Sequence, residues 1–180
     1  MSLQPYRREE CPHNLKLLFT MVSQKTLVLG LGNTILGDDG VGICVVREIR
    51  KHWAGHPQVE LVEASLAGMV LLDVITGFDR VVVVDAIMTN DPNPAGFIYE
   101  LTLDDLGEVL LPYASHALDL KTTIELGKRL GYKMPAIIQI YAIKIEENTL
   151  FTEALTPPVG QVVPVLAERL IGELRALNPS

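Results

Sequence analysis

Residues 26–42, TLVLGLGNTILGDDGVG, join a continuous apolar run to a glycine-rich turn and decide the fold of this chain. The run Thr26–Leu29 is typical of a β-strand with both faces buried, because neither side of such a strand meets water. A helix is predicted next, from about Asp39 to Trp53. Its apolar residues recur at helical spacing: Val41, Cys44, Val45 and Ile49. A buried strand that leads through a tight turn into a helix predicts an α/β fold.

Short apolar runs alternate with helical patterns along the rest of the chain. The segment Gly96–Leu101 follows a turn rich in proline and asparagine with no room for a crossover helix, so we expect an antiparallel edge strand there. The other strands are predicted at 59–62, 81–84 and 136–145, and the other helices at 66–75, from about 116 to 131, and after Pro157-Pro158. The last helix carries an apolar stripe at Val163, Leu166, Leu170, Leu174 and Leu177.

These elements predict a single three-layer α/β domain. Its sheet is expected to be mostly parallel and twisted, with about five strands, one antiparallel edge strand and helices on both faces. Residues 1–24 are expected to be a variable N-terminal extension, since Glu9 and Glu10 interrupt what would otherwise imitate an export signal. The domain is therefore expected to span residues 25–180.

The composition excludes several classes of partner. Fifteen Lys and Arg against 22 Asp and Glu give a formal net charge of −7, so no basic field is available to attract nucleic acid or an anionic membrane surface. Apolar runs such as Val81–Val84 fall far short of the roughly 18 residues of a membrane span. The only two cysteines, Cys11 and Cys44, argue against a disulfide framework and favour a reducing cytoplasm.

The glycines of the turn are typical of a nucleotide-binding loop, but the other residues of the turn argue against nucleotide binding. A dinucleotide fingerprint needs a third glycine at the position of Ile35, and Asp38 and Asp39 would repel a pyrophosphate from the helix N-terminus. The two aspartates could instead cap the helix, which is worth about 1 kcal/mol. One acid suffices for capping, so the second is free to face a cleft.

The predicted topology brings a second carboxylate to the same place. If both crossovers are right-handed and the helices cover opposite faces, strands one and three are neighbours and a crevice opens at their carboxyl ends. Asp39 follows the first of these strands and Asp85 ends the second. Asp85 could also be a turn former that accepts local backbone hydrogen bonds.

His116 opens the third predicted helix and is the remaining candidate. A helix N-terminus disfavours imidazolium, so the ring stays neutral and can donate a lone pair to a metal, although a lone histidine at a helix start is commonly a surface or capping residue. Two carboxylates and one imidazole supply at most three protein ligands, which leaves open positions on a metal. The fold must assemble them, because no H-E-x-x-H motif is present.

Five short motifs follow one another along the chain: Gly30-x-Gly32-Asn33-x-x-x-x-Asp38-Asp39-Gly40-x-Gly42, Ala67-Gly68-Met69, Asp85-Ala86, Ser115-His116 and Leu155-Thr156-Pro157. With these motifs in this order, the chain resembles the hydrogenase maturation endopeptidases over about Thr26 to Leu174. These enzymes trim the C-terminal extension of NiFe-hydrogenase large-subunit precursors.

The resemblance implies a peptidase, here the domain over residues 25–180, that cuts a large-subunit precursor once, after nickel has been inserted. It also implies that Asp39, Asp85 and His116 contact the metal; some members carry glutamate at the position of Asp39. Our own hypothesis for the mechanism is that Asp39 and Asp85 are catalytic and position or deprotonate the attacking water, while His116 fixes the metal. The metal is expected to be nickel bound by the substrate, with a zinc-like divalent ion as a surrogate. Metal-activated and aspartic-type hydrolysis both stay open.

Two other classes of function are compatible with the residues. The first is a non-catalytic nickel-chaperone or nucleotide-binding module, and the second is a regulatory scaffold with an inactive site. A peptidase shortens a nickel-loaded precursor, whereas a chaperone or scaffold leaves its mass unchanged.

Overall fold

A computed structural model describes residues 24–65, 69–105, 115–146 and 151–177, with the backbone alone at residue 69 and residues 115–119. The strands are β1 (Thr26–Leu31), β2 (Val59–Ala64), β3 (Arg80–Ile87), β4 (Ile98–Leu101) and β5 (Ile137–Lys144). The helices are α1 (Val41–His52), α2 (Met69–Ile75), α3 (Ser115–Arg129) and α4 (Pro157–Leu177), and a 3-10 turn (Gly37–Gly40) precedes α1. Residues 1–23 of the predicted extension and residues 66–68 of the predicted second helix lie outside the described residues.

The described strands form one five-stranded sheet in the order β2-β1-β3-β5-β4. β1, β2, β3 and β5 are parallel, whereas β4 pairs antiparallel with β5 at the edge. The predicted mostly parallel α/β fold, its antiparallel edge strand and the neighbouring positions of strands one and three are confirmed. No helix in the described ranges combines the length and apolarity needed to cross a membrane.

Two apolar clusters hold helices against opposite faces of the sheet. Residues of α1 and α4 pack with Val82 and Val84 on one face. Residues of α2 and α3 pack with Val81 and Val83 on the other. Because successive strand residues point to opposite faces, Asp85 follows Val81 and Val83 onto the face covered by α2 and α3.

The third strand is longer than its apolar run predicts. β3 continues through Asp85 to Ile87, because β5 keeps pairing with it as far as the Ile87–Lys144 pair. Pairing of β3 with β1 stops earlier, at Gly30 and Val84. Asp85 therefore does not end the strand, but it is the first β3 residue that is no longer paired with β1.

Two helical predictions also need correction. Cys44, predicted on the buried stripe of the first helix, is only half-buried, whereas Val41, Val45 and Ile49 are fully buried. Leu177, predicted on the inner stripe of the last helix, is 44% exposed. The apolar cluster that α4 shares with the sheet reaches Leu174 but does not include Leu177, so the last turn of α4 lies outside it.

Candidate functional site

Glycines allow the start of α1 to pack directly against the backbone of the sheet. A Cβ atom at Gly42 would overlap the carbonyl oxygens of Leu31 and Val84, and a Cβ at Gly30 would overlap the carbonyl oxygen of Gly42. No side chain fits between α1 and the two central strands at this point. The close approach places the start of α1 over the carboxyl ends of β1 and β3.

The turn between β1 and α1 folds back on itself in the same way. Gly32 has a φ of +127°, and a Cβ atom there would overlap the carbonyl oxygen of Asp39. At Gly40 a Cβ atom would lie 2.8 Å from the Cα of Thr34. The glycines of this turn are therefore required by packing against the chain's own backbone, which explains them without a bound phosphate.

Asp38 links this turn to the beginning of the last helix. Its carboxylate is 3% exposed, and it accepts a hydrogen bond of 2.6 Å from the backbone N–H of Thr156 and one of 2.7 Å from the Thr156 hydroxyl. Thr156 directly precedes α4. The capping hydrogen bond expected at the first helix is not formed, since neither the 3-10 turn nor α1 has a side-chain cap. Sequence reasoning missed this link, although the Leu155-Thr156-Pro157 motif was a signal for it.

Asp39 is held within the turn. Its Oδ2 accepts a hydrogen bond of 2.6 Å from the backbone N–H of Asn33. The side-chain oxygen of Asn33 in turn accepts from the N–H of Ile35 at 3.2 Å, which shapes the turn from the other side. The half-buried Asp39 carboxylate thus has a fixed donor at the carboxyl edge of the sheet.

Asp85 is a buried carboxyl group beside Asp39. It is 7% exposed, and its Oδ1 accepts a hydrogen bond of 2.9 Å from the N–H of Ala86. Burial raises the pKa of Asp85 to about 7 against the lowering effect of that hydrogen bond, and the negative charge of Asp39 raises it as well. The structure therefore places Asp39 close enough to Asp85 for the charge of Asp39 to act on that group.

His116 is the second residue of α3, and its side chain lies outside the described part of the structure. Its position is one helical turn before Leu120, which is buried with Ile124 against β3. Because α3 leads into the parallel strand β5, it starts at the carboxyl edge of the sheet, where Asp85 lies. Among the side chains that are described, no three His, Cys, Asp or Glu residues could hold a metal ion together.

A buried lysine near the same edge was not anticipated from the sequence. Lys144, the last residue of β5, is 6% exposed and donates to Asp91 at Oδ1 (2.9 Å) and at its carbonyl oxygen (2.5 Å). The Tyr99 hydroxyl donates to the other carboxylate oxygen of Asp91. The hydrogen bonds from Tyr99 and Lys144 hold the pKa of Asp91 well below its usual range. This network fixes the segment that follows β3.

Known sequences match this chain over most of its length. A sequence model of the family described as hydrogenase maturation protease, HycI, matches residues 43–173. The hydrogenase expression/formation protein HupD of Thiocapsa roseopersicina is 36% identical over 151 residues, which cover 79% of this chain and 67% of that protein. The hydrogenase 2 maturation protease of Escherichia coli is 26% identical over 152 residues, which cover 84% of this chain and 91% of that protein.

Solved structures agree with the sequence matches. The hydrogenase maturating endopeptidase HybD from E. coli superimposes with a TM-score of 0.70 at 25% identity, covering 84% of this chain and 93% of that one. The NiFe-hydrogenase maturation protease HybD from Thermococcus kodakarensis shares the fold, with a TM-score of 0.62 at 23% identity over 83% of this chain and 98% of that one. The family match covers more than half of the chain and contains most of α1 and all of β3, α3 and β5, so the chain belongs to the hydrogenase maturation protease family.

Proposed function

We propose that this chain is the endopeptidase that removes the C-terminal extension of a NiFe-hydrogenase large-subunit precursor after nickel insertion. The observation that carries the proposal is that the charge of Asp39 acts on the buried Asp85 at the edge where β1 stops pairing with β3. His116 completes the site in this proposal, because the helix that carries it starts at the same edge. Membership of the family supports peptidase activity. Contacts from the three side chains to nickel would explain how the enzyme detects that nickel has been inserted.

Nickel is part of the substrate in this proposal. Carboxylate oxygens and an imidazole nitrogen are suitable ligands for a divalent transition metal, and three protein ligands leave room for groups of the precursor. A precursor without nickel would lack the ion that these side chains contact. Nickel recognition would thus make cleavage depend on completed insertion. A zinc-like divalent ion would serve as a surrogate, because zinc accepts the same ligand types.

The two carboxylates have the chemistry needed to activate water. One of the two carboxylates, Asp39 or Asp85, accepts a proton from the attacking water while the other orients that water, and the proton is then passed to the departing amine. His116 fixes the nickel and, with it, the scissile segment of the precursor. These roles are common to metal-activated and aspartic-type hydrolysis.

A nucleotide-binding module is the less well supported alternative. The glycines that would be needed for close approach of a pyrophosphate are used for packing between α1, β1 and β3. Asp39 also places negative charge at the turn where the phosphates would bind. A nickel chaperone is separated from a peptidase by its products, because only the peptidase changes the mass of the precursor.

The test is cleavage of a purified large-subunit precursor, prepared with and without nickel, followed by intact-mass spectrometry. We expect the wild-type chain to remove a single C-terminal peptide from the nickel-loaded precursor and to leave the nickel-free precursor intact. Asp39→Ala serves as the control for a contaminating protease. An unchanged mass of the nickel-loaded precursor in the presence of the wild-type chain would favour the chaperone or scaffold.

A further inference from the structure

The segment before α4 is hydrogen-bonded to the turn that carries Asp39 at two places. The N–H of Gly37 donates to the carbonyl oxygen of Thr152 at 2.6 Å, and the N–H of Thr152 donates to the carbonyl oxygen of Ile35 at 3.0 Å. Further along, both the N–H and the hydroxyl of Thr156 donate to Asp38. The segment 151–156 therefore braces the turn along its length.

Among the residues of the turn, Asp38 is held by two hydrogen bonds from Thr156. A buried carboxylate is costly unless donors satisfy its oxygens, and Thr156 supplies a donor to each of the two oxygens of Asp38. Asp38 and Asp39 share one planar peptide unit, so a displacement of Asp38 moves the backbone of Asp39 directly. The hydroxyl of Thr156 thus acts on Asp39 through a single intervening residue.

We propose that Asp38 and Thr156 are positioning residues for the reaction, and that they hold the Asp39 carboxylate in place beside Asp85. The inference rests on the proposed catalytic role of Asp39. It adds a function for the segment 151–156 and for the start of α4, which contribute no residue to the Asp39, Asp85 and His116 set. A misplacement of about 1 Å at a reacting group can lower the rate about a hundredfold, so such a brace has a measurable effect on kcat.

The activity test uses Thr156→Val, which keeps the size of the side chain and removes the hydroxyl donor to Asp38. Thr156→Ser restores the hydroxyl. Thr76→Val is a matched control, because the Thr76 hydroxyl donates only to Leu72 at the end of α2, remote from the turn. In steady-state cleavage of a nickel-loaded precursor, we expect Thr156→Val to lower kcat about tenfold or more with KM within about twofold, whereas the two controls stay close to wild type.

A second readout does not depend on cleavage. The Asn33 N–H donates to Asp39 Oδ2, so its amide proton reports in NMR spectra whether that carboxylate is held. We expect Thr156→Val to shift the Asn33 amide resonance and to accelerate its hydrogen exchange. Thr156→Ser and Thr76→Val should leave both unchanged, even where thermal stability falls.

The outcomes separate this inference from the proposed function. A wild-type chain that does not cleave the precursor contradicts the proposed function, while the Asn33 amide still tests the brace. If the wild-type chain cleaves and Thr156→Val has the same kcat and the same Asn33 amide shift, the positioning role is overturned and the proposed function stands. A loss of thermal stability alone, with kcat per folded molecule unchanged, also overturns it.

Discussion

Asp39 lies close enough to Asp85 for its negative charge to help raise the pKa of Asp85, although a helix, a strand and a second helix separate the two residues in the chain. Asp39 comes from the turn after β1, and Asp85 comes from the part of β3 that is no longer paired with β1. The sheet order, in which β1 and β3 are adjacent, is what brings these segments together. Two carboxyl groups of different burial therefore share one edge of the sheet.

The contribution of the buried Asp85 to the stability of the metal-free protein should fall as the pH rises from about 4 to 7. Its pKa is raised on folding, so over this interval Asp85 keeps a proton in the folded chain that it has lost in the unfolded chain, and this one group favours unfolding more as the pH rises. Asp85→Asn removes this penalty. We expect the free energy of unfolding of the variant to exceed that of wild type at pH 8 by a few kcal/mol, on the order of 3 to 4.

This difference is measured by urea denaturation at several pH values in chelator-treated protein. The advantage of Asp85→Asn should shrink steadily below pH 7 and be small at pH 4. Asp73→Asn, at an exposed position on α2, is the matched control and should follow wild type. A constant difference between Asp85→Asn and wild type across the range would show that Asp85 is not a buried acid with a raised pKa.

Substitution at the three proposed site residues should abolish processing without unfolding the chain. We expect Asp39→Ala, Asp85→Ala and His116→Ala each to lower the cleavage rate by at least about a hundredfold, the range typical of a lost acid, base or positioning group. Circular dichroism should report an intact fold for each variant. Full activity in any one of them would remove that residue from the proposed site.

Close packing of α1 on the sheet predicts opposite outcomes for two glycine substitutions. Gly42→Ala places a Cβ atom against the backbone carbonyls of Leu31 and Val84, so the free energy of unfolding should fall by roughly 3 kcal/mol. Gly172 lies in α4 with open space around it, and Gly172→Ala should raise the free energy of unfolding by about 0.5–1 kcal/mol. Equal effects in denaturant titrations would refute the packing argument.

Because Lys144 is buried, removing either member of the Lys144–Asp91 ion pair should have a different effect on stability. Asp91→Ala leaves a buried ammonium group without its carboxylate, whereas Lys144→Met replaces the ammonium by an apolar chain of similar length. We expect a lower Tm for Asp91→Ala than for Lys144→Met by differential scanning calorimetry. The reverse order would mean that Lys144 is well solvated in the folded chain.

The strand order was predictable from the sequence because it depends on few rules. Parallel strands with helical crossovers connect right-handedly, which places β1 next to β3 once both faces of the sheet carry helices. The end of β3 was not predictable from its apolar run, because backbone pairing with β5 continues through Asp85 irrespective of its polar side chain.

The hydrogen-bond partner of Asp38 could not be predicted from the sequence for a different reason. Local reasoning assigns an aspartate before a helix to the cap of that helix, whereas Thr156 lies 118 positions away and meets Asp38 only after α4 has packed beside α1. The exposure of Leu177 likewise depends on where the apolar cluster under α4 ends. Periodicity identifies the buried face of a helix but not the extent of the surface it covers.

The most direct test of the three-residue site is a crystal structure of this chain soaked with zinc as a surrogate for nickel, with the ion located by its anomalous scattering. We expect one ion that contacts Asp39, Asp85 and His116 together, with metal–ligand distances of about 2.0–2.2 Å. An ion bound elsewhere, or bound without His116 and one of the two aspartates, would contradict the proposed site.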